Sequence, residues 1–230
     1  MKRQLLNGIV GLWLALAGVA AAQNLVVVEL YTSQGCSSCP PADRMLHELA
    51  ARDDVIALAL HVDYWDYIGW KDEFADPAHA ERQRAFARAA GRRSVYTPQL
   101  VVNGTDTIVG AKAMKLANTI TAHAQKPMPV AVRLERQGST LRVSAAADAR
   151  APMVVHMLRY TPERTARITR GENAGHTFAY ANVVQDWQEV ATWDGAAPLS
   201  LALEISGAQP VVVLVQQGQA GAILGAARLR

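Results

Sequence analysis

Two cysteines, Cys36 and Cys39, are the only thiols in this 230-residue chain, and they form the motif Cys36-Ser37-Ser38-Cys39. A pair so spaced can close as a disulfide and reopen when a thiolate attacks one sulfur. The motif follows an apolar run, Val26 to Tyr31, and precedes Asp43 to Ala51, where Leu46 and Leu49 share a helical face. At a strand end and a helix start, the loop brings the sulfurs together, and backbone N–H groups there can stabilise a thiolate. As a staple the pair is worth little, because so short a loop removes little entropy from the unfolded chain. Dithiol–disulfide exchange is therefore the chemistry to expect.

Residues 1–22 read as an export signal. Lys2 and Arg3 open it, Leu5 to Ala17 is a short apolar run broken by Asn7 and Gly8, and Ala20-Ala21-Ala22 offers small residues for cleavage before Gln23. No later stretch approaches roughly 18 uninterrupted apolar residues. The expectation is a periplasmic or secreted protein with no stable membrane insertion after cleavage, in a compartment where a disulfide persists. The formal charge of +3 falls by two when Lys2 and Arg3 leave with the signal, so charge gives no ground for a nucleic-acid partner. The densest basic stretch, Arg82, Arg84, Arg88, Arg92 and Arg93, reads as a solvated helix face.

The elements that must position the cysteines divide into two grammars. Over residues 23–126 strand and helix patterns alternate: Val26 to Tyr31, Asp43 to Ala51, Val55 to Val62, Ala78 to Ala90, then Gln99 to Val102 and Thr107 to Val109 around Asn103-Gly104, then Ala111 to Ala124. The order βαβαββα predicts a mixed sheet with helices on both faces. After Lys126-Pro127-Met128-Pro129, residues 127–230 show only short strand patterns, including Met153 to Tyr160, Arg164 to Thr169, Thr177 to Val184 and Trp187 to Thr192. That spacing predicts an all-β, sandwich-like second domain.

About a hundred residues, 23–126, with Cys-x-x-Cys between strand and helix and Thr97-Pro98 entering the hairpin, resemble thioredoxin. The resemblance implies that Pro98 faces the cysteine pair as a cis-proline and that the Thr97-Pro98 loop docks substrate, although the isomer cannot be read from sequence. It also implies a role for Glu29, an acid within the apolar strand before the cysteines, exchanging protons with the buried sulfur if desolvation raises its pKa. A carboxylate at an exposed strand end is the alternative. In the implied mechanism Cys36 is the more exposed, attacking sulfur and Cys39 resolves the mixed disulfide. Pro40-Pro41 departs from the pattern: the regular helix would begin near Pro40, leaving Cys36 further from the helix dipole.

Several strings together, Leu30 to Asp43, His61-Val62-Asp63-Tyr64-Trp65-Asp66, Tyr96-Thr97-Pro98-Gln99, Arg170-Gly171-Glu172-Asn173 and Asn182-Val183-Val184, resemble one family of secreted bacterial proteins, the domain-of-unknown-function family numbered twelve-twenty-three. That family implies a thioredoxin-like domain and export but no established substrate. Tyr64 and Trp65, in the aromatic segment His61 to Trp70, would line a substrate groove beside the cysteines or seal the contact with the second half. The partners expected are protein or small-molecule thiols and disulfides and a redox partner protein, with no cofactor and no resident metal. Two rivals stand beside exchange: copper delivery through Cys36, Cys39 and His61, and a binding scaffold with an inert disulfide. Arg170 to Asn173 reads as a turn or a surface recognition loop.

Overall fold

The computed structural model describes residues 25–230, so the expected export signal, 1–22, lies outside the described residues. Its core begins with β1 (Val26–Thr32), α1 (Pro40–Ala50), β2 (Val55–His61), α2 (Pro77–Ala89), β3 (Gln99–Val102), β4 (Asp106–Val109) and α3 (Ala113–Ala124). A short 3₁₀ turn, Asp66–Ile68, lies between β2 and α2. The β3–β4 turn holds Asn103 at φ 45° and Gly104 at φ 71°, the left-handed backbone that an Asn-Gly pair adopts most readily. β1 pairs in parallel with β2 and antiparallel with β3.

Seven further strands follow: β5 (Val130–Gln137), β6 (Thr140–Ala147), β7 (Met153–Arg167), β8 (Thr177–Trp193), β9 (Leu199–Glu204), β10 (Val211–Gln217) and β11 (Ile223–Leu229). Where the sequence predicts four short strands, β7 and β8 are two long ones. Their ladder shifts register between Val155 and His156 and again between Arg159 and Tyr160, where Gln185 is the extra residue, and the pairing runs on through both irregularities instead of ending the strands.

The large sheet takes strands from both sides of the segment that joins α3 to β5. Eight strands run in the order β11-β10-β7-β8-β2-β1-β3-β4, and β5-β6-β9 form a separate antiparallel sheet. β2 meets β8 in parallel at Ala59 and Val183, and Asn182 Nδ2 donates to Ala57 O at 2.8 Å. The second half thus extends the first half's sheet; only β5, β6 and β9 add a layer, packing Val130, Leu141 and Val143 on Val155, Val211 and Val213. No helix among the described residues is long and apolar enough to cross a membrane.

Every residue of β1 is buried, and its alternation divides it between two cores. Val28 and Leu30 face Ala42 and Leu46 of α1 and Leu116 and Ile120 of α3. Val27 and Tyr31 join Ala80 and Phe86 of α2 on the other side. At roughly 1.5–3 kcal/mol for each large apolar side chain buried, this strand anchors the sheet. Its C-terminal end opens into the cysteine loop.

Candidate functional site

Cys36 and Cys39 are bonded to each other, with Cα atoms 5.4 Å apart. Cys39 is the N-cap of α1, which starts at Pro40 as the two prolines predict. The turn is closed by Cys39 N–H donating to Cys36 O at 3.2 Å, and the helix begins with Ala42 N–H and Asp43 N–H both donating to Cys39 O, at 2.8 and 3.1 Å. Pro40 and Pro41 have no N–H to offer. Those engagements leave no free helix-start donor for a thiolate. The Ser38 hydroxyl, 3.4 Å from Cys36 Sγ, is the polar neighbour present. Both sulfur-bearing residues are buried, at 1% and 0% exposure, so the expectation that Cys36 stands out as the exposed sulfur does not hold in the oxidised form. Ser37 and Ser38 between them are exposed.

Glu29 is not brought to the sulfurs. As an odd-numbered residue of β1 it lies with Val27 and Tyr31 on the α2 side, while α1 and Cys39 cover the opposite face. There Arg82 grips it with two bonds, Nε to Oε2 at 2.7 Å and Nη2 to Oε1 at 2.9 Å, and Tyr31 OH donates to Oε2 at 3.0 Å. Its alternative as a carboxylate at an exposed strand end also fails, since Glu29 is 0% exposed. Arg82 leaves the expected solvated basic face for the same reason. It stacks 4.1 Å over the Trp187 ring, while Arg88, Arg92 and Arg93 are exposed.

The buried acid on the cysteine side is Asp43, which the sequence reading did not single out. It stands one helical turn after Cys39, so the two side chains share a face of α1. Thr32 Oγ1 donates to Asp43 Oδ1 at 2.7 Å. Burial pushes the Asp43 carboxyl up to about 7, against the pull of the Thr32 hydrogen bond and of His61. Next to it, His61 Nδ1 lies 2.7 Å from Asp72 Oδ2, and because a carboxylate only accepts, that nitrogen carries the proton. The His61 ring is wedged edge-on between Phe74 and Tyr180, and its Nε2 has no partner. Burial opposes the ionisation of Asp72, but His61 and the N–H groups of Gln34 and Phe74 hold its carboxyl below the ordinary range.

The cysteine loop is pinned from three directions. Gln34 N–H donates to Asp72 Oδ2 at 2.8 Å. Trp70 Nε1 donates to Gln34 Oε1 at 2.7 Å. Asn173 Nδ2, from the loop joining β7 to β8, donates to Gln34 O at 2.8 Å and to Cys36 O at 3.1 Å. Arg170-Gly171-Glu172-Asn173 is therefore a turn that also reaches the cysteines, with Gly171 at φ 76°. No local sequence signal marks Asp72 or Asn173, because their partners lie 38 and 139 residues away.

Thr97 and Pro98 do come to the same edge. Gln99 pairs with Tyr31, which sets the preceding Thr97-Pro98 bond, a cis peptide, beside the end of β1. Trp65 bridges the two loops: its Nε1 donates to Thr97 Oγ1 at 2.7 Å, and a side chain at Gly35 would meet Trp65 Cβ at 3.2 Å. Tyr67, 81% exposed, stacks on Trp65 at 6.4 Å. Tyr64 OH donates to Gln83 Oε1 at 3.0 Å, which ties it to α2. Trp70 lies against Gly171, so the aromatic segment touches both halves. Among the described residues no group of three or more His, Cys, Asp or Glu side chains is placed to hold a metal ion.

The fold is shared with solved structures. The crystal structure of Protein AGR_C_4864 from Agrobacterium tumefaciens is similar with 34% identity and a TM-score of 0.77, covering 89% of this chain and 93% of that one. HBP35 of Porphyromonas gingivalis is similar in fold, at 17% identity and a TM-score of 0.58, covering 90% of this chain and 75% of that one. None of the curated proteins matches. The family model described as Protein of unknown function (DUF1223) matches residues 27–216, and the chain belongs to that family.

Proposed function

We propose that this protein is an exported thiol–disulfide oxidoreductase whose Cys36–Cys39 pair undergoes dithiol–disulfide exchange with protein or small-molecule thiols and disulfides, on a thioredoxin-like unit extended by sandwich-like β-structure. The observation that carries the reading is the place of the bonded pair, between the end of β1 and the N-cap of α1, at the sheet edge that also receives Thr97-Pro98 and Trp65. Ligands of open α/β sheets favour that edge. A substrate thiolate attacks Cys36 Sγ from the exposed Ser37-Ser38 side, the S–S bond breaks, and its electron pair passes to Cys39. Asp43, near pH 7 shared between acid and carboxylate, gives Cys39 its proton and takes it back for the reverse step. Trp65 and Tyr67 offer apolar surface to the substrate chain.

The direction of exchange follows from the absent donors. A strong oxidant needs a stabilised thiolate in its reduced form, and here both prolines and the engaged N–H groups of Cys39, Ala42 and Asp43 withhold that stabilisation. The pair is therefore expected at the reducing end of working proteins, nearer about −270 mV than −120 mV. Glutathione titration with thiol trapping measures it. Cys36→Ser should abolish exchange and Cys39→Ser should trap mixed disulfides; full activity in both would sink the assignment. The burial of both cysteines favours one rival, an inert disulfide in a scaffold, and a pair that stays oxidised below about −300 mV would establish it.

A further inference from the structure

We propose that Asn173 is a positioning residue for the Cys36–Cys39 couple, so that the β7–β8 hairpin, contributed by the second half of the chain, tunes how firmly the disulfide is held; this rests on the exchange reading above. Asn173 is 6% exposed and reaches the cysteine loop from 137 residues away. Its two neighbours, Gln34 O and Cys36 O, are both acceptors, which fixes the amide with its nitrogen inward. The Cys36 carbonyl it holds is the one that accepts Cys39 N–H and so closes the turn between the sulfurs.

The hairpin tip is built to present this side chain. Gly175 N–H donates to Ile168 O at 2.8 Å and His176 N–H to Asn173 O at 3.2 Å, so the loop backbone satisfies itself and leaves the Asn173 amide for the cysteines. Gly171, with φ 76°, holds the left-handed backbone that favours glycine, and it packs in ordinary contact distance of Trp70 Cβ and Ile68 O. Trp70 in turn holds Gln34. The tip, the aromatic segment and the cysteine loop thus form one contact.

The consequence is chemical. In exchange with glutathione, its thiolate attacks Cys36 Sγ and the S–S electron pair goes to Cys39, which takes up a proton. A second glutathione thiolate then frees Cys36 as a thiol and leaves as oxidised glutathione. Reclosure runs backward, with the Cys39 thiolate attacking the mixed disulfide on Cys36. Its rate and equilibrium depend on how often Cys39 lies within reach, which is an effective concentration. A turn pinned by Asn173 keeps that concentration high and favours the disulfide. Release of the turn lowers it.

Glutathione titration of the full mature chain, comparing Asn173→Asp and Asn173→Ala with the native residue, tests this. Loss of both hydrogen bonds should shift the equilibrium about tenfold toward the dithiol, a midpoint about 30 mV less negative. Glu172→Ala, exposed on the same tip, should leave it unchanged. A reversible native midpoint that both Asn173 variants leave in place overturns this inference alone. A native pair with no reversible midpoint overturns the exchange reading and this inference with it. If neither variant folds, the unaltered protein decides, because linkage is reciprocal: residues 168–176 must lose amide-exchange protection when the disulfide is reduced, and equal protection in both forms overturns the proposal.

Discussion

The two faces of β1 each bury a carboxylate, and they use it in opposite ways. On the α2 side Glu29 is met by the bidentate guanidinium of Arg82 and the Tyr31 hydroxyl, so its charge is compensated where it sits. On the α1 side Asp43 has the Thr32 hydroxyl on one oxygen and no opposite charge bonded to it, and its carboxyl is raised to about 7 by burial. Burial alone does not make a working acid; what the buried group is given as a partner decides. A paired carboxylate is architecture, whereas an underpaired one, its carboxyl raised to about 7, can exchange a proton near neutral pH.

The comparison is broken most severely at Arg82. Arg82→Met strands the Glu29 charge in a core, which should cost about 3–5 kcal/mol of unfolding free energy at pH 7 by denaturant titration. A loss under about 1 kcal/mol would mean that Glu29 escapes to water. Asp43 gives the next effect, and its sign is opposite to that of an ordinary salt-bridged acid. Its folded pKa of about 7 exceeds the unfolded value of 3.8, so its stability contribution is complete below the unfolded value and is lost as pH rises through 7. At 1.36 kcal/mol per unit, up to about 4 kcal/mol goes between pH 4 and 8. Asp43→Asn should remove that slope, and parallel native and variant curves would refute the raised acid. The smallest effect belongs to Thr32→Val. It removes the one hydroxyl that supports ionised Asp43, costing about 1.5–3 kcal/mol at pH 8 and less at pH 4, where Asp43 is neutral. An equal cost at both pH values would show that Thr32 matters for packing alone.

The difference between the faces also explains what could be read from the chain. The strand before Cys36, the helix beginning at Pro40 and the Asn103-Gly104 turn are local events, and their residues announce them through apolar runs, proline and positive φ. The orientation of Glu29 is different. Val26 to Thr32 is buried on both sides, and a strand with no polar face carries no sign of which neighbour each side meets. Glu29 could then be placed at the right height but on the wrong face. The same holds for Arg82, since a helix with several arginines reads as solvated, while this one meets a buried acid from 53 residues away. Asp43 was legible in principle: four residues after Cys39 on a helix, it had to share the cysteine's side.

By itself, then, the sequence determined the closed Cys36–Cys39 turn, the alternating elements around it, the Thr97-Pro98 approach to the hairpin and the family, because each rests on spacing within a few residues or on a run of matching strings. Tertiary structure alone decided that one sheet spans both halves, that Asp43 and not Glu29 lies on the cysteine side, and that Asn173 holds the Cys36 carbonyl. Those outcomes depend on pairings between residues dozens to more than a hundred positions apart. Such pairings are selected by the summed burial and hydrogen bonding of the whole sheet, and no local pattern carries that sum.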